Sequence, residues 1–235
     1  MRKFIFIFIV ALSFTISVSA QNTLTNRAFE TGTRAAQAKN YEKAIADYRR
    51  AILFSETEKQ SNDFLARIHF NVGVCLYNLK QPDKAVEEFT EAIKLSRRNY
   101  QKAFYALGMA HKDLRNWQKA EIAFRRAIEL KTDDGEAWFD LAFVFLRQEN
   151  FDQAEKAFQK SIKHKSVGTA DAHNNLGVIF ALRHEFDSAE NEFQTALEVS
   201  NGKSILARNN LQFCKSYKRN SNQNLLARLE FSKTK

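Results

Sequence analysis

Leu107-Gly108, followed by Ala120, Phe124 and Ala127, is the stretch that decides the fold. A small residue is followed 12 positions later by alanine, then by an aromatic ring four further on, then by another small residue three beyond that. The same set recurs as Gly32/Ala44/Tyr48/Ala51, Gly73/Ala85/Phe89/Ala92, Ala142/Ala154/Phe158/Ser161 and Gly177/Ala189/Phe193/Ala196. The copies begin 41, 35, 34 and 35 residues apart. Self-similarity at such a period marks a stack of repeated units, not a globule closed around one core.

Composition agrees with that reading. The chain of 235 residues holds a single proline and seven glycines, and four of the glycines belong to the repeated pattern. So little punctuation suits long helices joined by short turns. A hydrophobic content of 44% is ordinary for a folded chain, but 21 phenylalanines are many, and the repeats use them systematically. Within each copy the glycine or alanine lets two helix backbones approach closely, and the aromatic of the second helix fills the space between neighbours. Burial of such a side chain contributes ~1.5–3 kcal/mol.

This spacing resembles the tetratricopeptide repeat, a helix–turn–helix unit of about 34 residues. The resemblance covers roughly residues 25 to 203. It departs from the family pattern in two places. The early tryptophan appears only at Trp138, with Phe104 in the matching position of the preceding copy, and the closing proline is replaced by Glu56, Arg97, Thr132, Ser166 and Asn201. The fold implied is all-α: a right-handed α-solenoid of five helix–turn–helix repeats, about 25–58, 66–99, 101–134, 135–168 and 170–203. A C-terminal capping helix at 203–219 completes a superhelix spanning 22–219.

Read in order, residues 1–20 carry the marks of a secretory signal peptide. Arg2-Lys3 open it, Phe4 to Ile16 form an apolar run, and Val18-Ser19-Ala20 make a small-residue cleavage site before Gln21. The apolar run is shorter than the ~20 residues a spanning helix needs. The mature chain is therefore expected to be exported, periplasmic and soluble, or peripherally attached to the envelope. Asn40, Asn116 and Asn150 precede second helices and read as N-caps. The lengthened period at 55–62 reads as two extra helical turns shared by the flanking helices, with a protruding polar loop as the alternative. Residues 220–235 form a basic polar tail whose Leu225–Phe231 segment is partly apolar. It suggests weak membrane-surface contact, with a frayed, solvated tail as the bland alternative.

By the family resemblance, an inner groove is lined by first-helix positions three before the glycine and one after it. The first set is Phe29, Phe70, Tyr105, Phe139 and Asn174; the second is Thr33, Val74, Met109, Phe143 and Val178, with Tyr77 and Leu146 one turn further along. An exposed strip of this kind exceeds what solvent normally tolerates and points to a binding site for a protein or peptide partner. Arg67 and Lys102 stand at one edge to meet a carboxylate, while Glu136, Asp140 and Asp171 make the far end acidic. Aromatics occupy the places where the family's carboxylate-clamping lysines begin, so that mode is not expected. The competing reading is a tight superhelix, or a tail that folds back, with these rings packed internally.

Catalysis is not expected. Five histidines are scattered, no metal-hydrolase or phosphate-loop motif occurs, and no cofactor is implied. His69 and His173 hold equivalent repeat positions, which suggests a shared structural role. Cys75 and Cys214 lie far apart along the stack and are expected to remain separate buried thiols without a metal. The net charge of +9 leaves room for anionic partners, but export argues against nucleic acid. The expected function is that of a non-catalytic interaction module, an adaptor or assembly factor; a membrane-associated scaffold is the alternative.

Overall fold

The computed structural model of the chain describes residues 23–220 and 229–232. The expected signal peptide at 1–20 lies outside the described residues, as do tail residues 221–228 and 233–235. Among the described residues there are eleven helices and no strand. They are α1 (Leu24–Gln37), α2 (Tyr41–Glu58), α3 (Asn62–Asn78), α4 (Pro82–Leu95), α5 (Gln101–Asp113), α6 (Trp117–Leu130), α7 (Gly135–Arg147), α8 (Phe151–Lys163), α9 (Thr169–Leu182), α10 (Phe186–Val199) and α11 (Ile205–Asn220). The chain falls into two compact units, one ending at Ala110 and one beginning at His111.

The turn inside each helix pair is built the same way five times. Lys39, Lys80, Arg115, Glu149 and His184 adopt φ between 58° and 61°, the left-handed region usually given to glycine. The next amide then reaches back to the carbonyl five residues earlier: Asn40 to Ala35 (2.9 Å), Gln81 to Leu76 (3.0 Å), Asn116 to His111 (2.8 Å), Asn150 to Phe145 (2.9 Å) and Glu185 to Phe180 (2.9 Å). This bond satisfies a carbonyl that the ending helix would leave bare. The second helix starts at once. The side chains of Asn40 and Asn150 accept from the amides of Lys43 and Gln153, as expected of N-caps, but Asn116 makes no such bond.

The first unit holds α1 to α4 and α5 up to Ala110. Its core gathers Ala28, Ala44, Tyr48, Ala51, Val72, Leu76, Ala85 and Phe89. Close approach of α3 and α4 depends on Gly73: a Cβ there would lie 2.6 Å from the Phe89 ring. The extra residues of the long first period lengthen both flanking helices. α2 runs for 18 residues and α3 for 17, against 14 in α1 and α4. The added turn brings the Glu58 carboxylate to the start of α1, where it accepts from the amides of Leu24 (2.9 Å) and Thr25 (3.2 Å). A negative group at the positive end of a helix is stabilising.

In the second unit each helix from α6 to α11 packs on the next, and α9 also touches α11. Phe124, Phe158 and Phe193 are completely buried, each from the second helix of its pair. Arg183, at the end of α9, reaches back to Asp152 (2.5 Å) and Glu155 (2.6 Å) on α8. The two repeat-equivalent histidines have the expected common role. Nδ1 of His69 lies 2.7 Å from Glu88, and Nδ1 of His173 lies 2.7 Å from Glu192, each pair linking the first and second helix of one repeat. Cys75 and Cys214 are both buried thiols, one in each unit.

Candidate peptide-binding face

In the first unit the first-helix stripe is half-buried. Phe29 packs against Tyr48 and Phe64 with ring centroids 5.6 and 5.2 Å away. The exposed Arg67 lays its guanidinium over both phenylalanines, 5.4 Å from Phe29 and 5.6 Å from Phe64. Phe70 rests between Phe89 (5.8 Å) and Tyr100 (5.1 Å). Val74 and Tyr77 lean on the same core, Tyr105 and Met109 are half-buried, and Lys102 is exposed. Burial pushes the Tyr100 phenol above its ordinary pKa, with the charge of Arg67 opposing, so the ring stays neutral at physiological pH. Each ring keeps one side against the core and one side open.

The corresponding positions of the second unit are arranged differently. Phe139 is buried, edge-on to Phe158 at 5.5 Å, and Gly168 lies against its ring. Leu146 is buried as well, while Phe143 keeps an open side. The two acidic positions expected at the groove edge have internal partners. Asp140 is turned inward and accepts from Lys112 Nζ at 2.8 Å, with both side chains under a tenth exposed. Glu136 accepts the amide of Val167 and so holds the turn before α9. Phe139 and Asp140 therefore belong to the interior, because the wide stripe of α7 is packed on both sides by its neighbours, while Leu146 shows only an edge.

The face of α9 and α11 supplies what the stripe alone does not. Asn174 and Asn175 lie inside the apolar α9, and Asn210 lies on α11; all three are buried. Their amides meet the main chain of tail residues 229–232, the part of the tail's Leu225–Phe231 segment that is described, with Ser232. Asn210 Oδ1 accepts the amide of Glu230 (3.0 Å) while its Nδ2 donates to the Glu230 carbonyl (2.7 Å). Asn175 treats Ser232 the same way, Oδ1 accepting its amide (2.6 Å) and Nδ2 donating to its carbonyl (3.1 Å). Asn174 Nδ2 donates to the Glu230 carbonyl (3.2 Å) and to Ser232 Oγ (3.1 Å), and its Oδ1 accepts from Asn210 Nδ2 (2.8 Å).

Two alternate residues thus present amide and carbonyl to one side, as an extended strand does to its neighbour, with asparagine amides in place of the second strand. Leu229 and Phe231 point the other way in register and pack on a cluster of Val178, Ala181, Ala189, Phe193 and Cys214. Beside Phe231 a cleft of about 460 Å³ is lined by Phe143, Leu146, Arg147, Glu149 and Phe151. Of the expected stripe, Phe143, Leu146, Asn174 and Val178 meet here. Asn175 and Asn210 were not among the expected groove positions. Their signal is periodic all the same: Asp140, Asn175 and Asn210 follow one another at 35 residues, a polar residue at the same place in three successive first helices. At the first of these places Lys112 is the partner.

Among the described residues no group of three or more histidine, cysteine or acidic side chains is arranged to hold a metal ion, and no helix is long and apolar enough to cross a membrane.

The architecture is that of a helical-repeat interaction module. Models described as tetratricopeptide repeat match residues 66–99, 101–134 and 133–201, and the chain belongs to that family. Repeats of this family are protein–protein interaction scaffolds that bind protein or peptide partners. Among curated proteins, sperm-associated antigen 1 of Homo sapiens is 31% identical over 138 residues, and heat shock protein STI1 of Saccharomyces cerevisiae is 31% identical over 99. These alignments take in 59% and 42% of the chain but only 14% and 16% of those much longer relatives.

Solved structures reproduce the fold over most of the chain. MamA from Desulfovibrio magneticus superposes with a TM-score of 0.67 at 19% identity, covering 78% of this chain and 99% of that one. YrrB, described as a TPR protein with an unusual peptide-binding site, gives 0.65 at 21%, covering 84% and 95%. A tetratricopeptide repeat protein from Parabacteroides merdae gives 0.69 at 17%, covering 87% and 77%.

Proposed function

We propose that the chain is an exported, periplasmic adaptor or assembly factor that takes a partner polypeptide as an extended segment on the first-helix face of its second unit. The observation that carries this reading is the set of asparagine amides on α9 and α11. Asn175 and Asn210 each satisfy both main-chain groups of one residue, a geometry that reads a backbone and leaves most of the sequence free. Main-chain pairing supplies affinity and side-chain pockets supply selectivity in strand-like recognition. The likeness to YrrB, with its peptide-binding site, supports the same class of ligand.

The half-open rings of the first unit, Phe29, Phe70, Tyr77, Tyr105 and Met109, offer further apolar contact for the same kind of partner. A membrane-bound scaffold is less well supported, because Leu229 and Phe231 pack on the protein's own second unit. Export rests on the three-part pattern of residues 1–20.

Two measurements test the proposal. The N-terminus of the protein recovered from the periplasm is expected at Gln21; a chain retained in the cytoplasm with Met1 intact would refute export. A photo-crosslinking residue at Phe143 is expected to capture a discrete polypeptide in the cell envelope, while one at the exposed Ile122 does not. Equal capture at both places would remove the support for this face.

A further inference from the structure

The tail segment is bonded to this face in a way that makes it replaceable. Among the described residues, the side chains of Asn175 and Asn210 bond to the tail and to Asn174; the bond from Asn210 to Asn174 (2.8 Å) joins α11 to α9 without the tail, and those to the tail are released when it leaves. Buried amides of this kind leave a deficit when covered by apolar atoms, but they hydrate when the cover departs. Hydration of these amides lowers the cost of the segment leaving, while the apolar cluster under Leu229 and Phe231 favours an occupied face.

Side-chain demands of the segment are few and readable. Glu230 is exposed and makes its bonds through its main chain. Ser232 is buried, and its hydroxyl accepts from Asn174. Leu229 and Phe231 are half-buried on the apolar cluster. The cleft of about 460 Å³ flanking Phe231 shows that this ring does not fill the available space.

Resting on the reading of the second unit as a peptide site, we propose that Leu229–Ser232 is a resident competitor. The partner that displaces it is an extended segment of the pattern aliphatic, any residue, aromatic, serine. The chain carries a copy of its ligand's pattern and holds it in its own site. Because that copy belongs to the same chain it has a high local concentration, so a partner binds well only when its own segment fills the cleft better or when the tail is drawn away.

The test uses the full chain and, as probe, a fluorescein-labelled peptide with the sequence of residues 225–235. A chain carrying Leu229→Ser and Phe231→Ser is expected to bind the probe about 10- to 100-fold more tightly than the unsubstituted chain. That is the margin a tethered competitor at roughly millimolar effective concentration imposes on a weak ligand. Adding Asn175→Ala and Asn210→Ala to the released chain abolishes the gain. In the unsubstituted chain, hydrogen exchange at the amides of Glu230 and Ser232 is expected to quicken when excess unlabelled peptide is added.

Equal affinity of both chains for the probe overturns the competitor while leaving the peptide site standing. Absence of binding by either chain, with circular dichroism showing both helical, overturns the site as well. If the unsubstituted chain is a dimer that the two serine substitutions dissolve, the occupant is a second copy's tail, and competition within one chain is refuted.

Discussion

Replacing Gly177 with alanine sets two well-measured effects against each other, and the sign of the outcome shows which one governs this stack. Gly177 lies in the interior of α9, where alanine is favoured over glycine by about 1 kcal/mol on helix propensity alone. Its position opposes that gain. A Cβ at Gly177 would lie 2.6 Å from Cε1, 2.7 Å from Cδ1 and 3.0 Å from Cζ of Phe193. That ring is completely buried, so it cannot swing aside without moving α10. Overpacking of a filled core costs ~1–3 kcal/mol, and three simultaneous short contacts place this case toward the upper end.

Subtracting the propensity gain leaves a net loss of about 1–2 kcal/mol. Denaturant unfolding followed by helical circular dichroism measures it as a lower midpoint at unchanged slope. A Gly177→Ala/Phe193→Leu double variant should recover part of the loss, since the two sites touch and their effects are not additive. An increase in stability for Gly177→Ala would refute the reasoning, because it would mean that the small residue at this place is not needed for helix approach.

Lys80→Gly should raise stability by about 0.5–1 kcal/mol: its φ of 60° is a strained choice for any residue with a Cβ, and the bond from the Gln81 amide to the Leu76 carbonyl is kept. A fall in the unfolding midpoint would show that the lysine side chain contributes more than the backbone strain removes. Thiol titration of the native protein with an aromatic disulfide at pH 8 should be slow at both cysteines and become rapid in denaturant. Both are buried, and burial pushes the Cys75 thiol up to about 11, so little thiolate is present to react. Prompt reaction of the native protein would show that the helices around Cys75 open readily.

Much of this protein is written in its local spacing. The distance of 12 from small residue to alanine, then four to the ring and three to the next small residue, places named atoms against each other: Gly73 under Phe89 and Gly177 under Phe193. Helix pairing, the lengthening of α2 and α3 and the shared role of His69 and His173 follow from the same pattern, because each depends on contacts within one repeat or between adjacent ones. The turns were less legible. Lysine, arginine, glutamate and histidine occupy left-handed positions where glycine would have announced the helix end.

The candidate site divides along the same line. Sequence periodicity places the stripe on the first helices, since residues at i and i+4 share a face whatever surrounds them. Which of those residues stay open is a matter of what packs on top, and that is fixed only by tertiary structure. Phe139 is covered by Phe158, and Asp140 is drawn inward by Lys112, 28 residues earlier in the chain. The meeting of Asn174, Asn175 and Asn210 with residues 230 and 232 joins positions up to 58 apart in sequence. No local rule encodes that distance; it exists because α9 and α11 pack side by side and bring their polar residues to one strip, where an extended segment can lie.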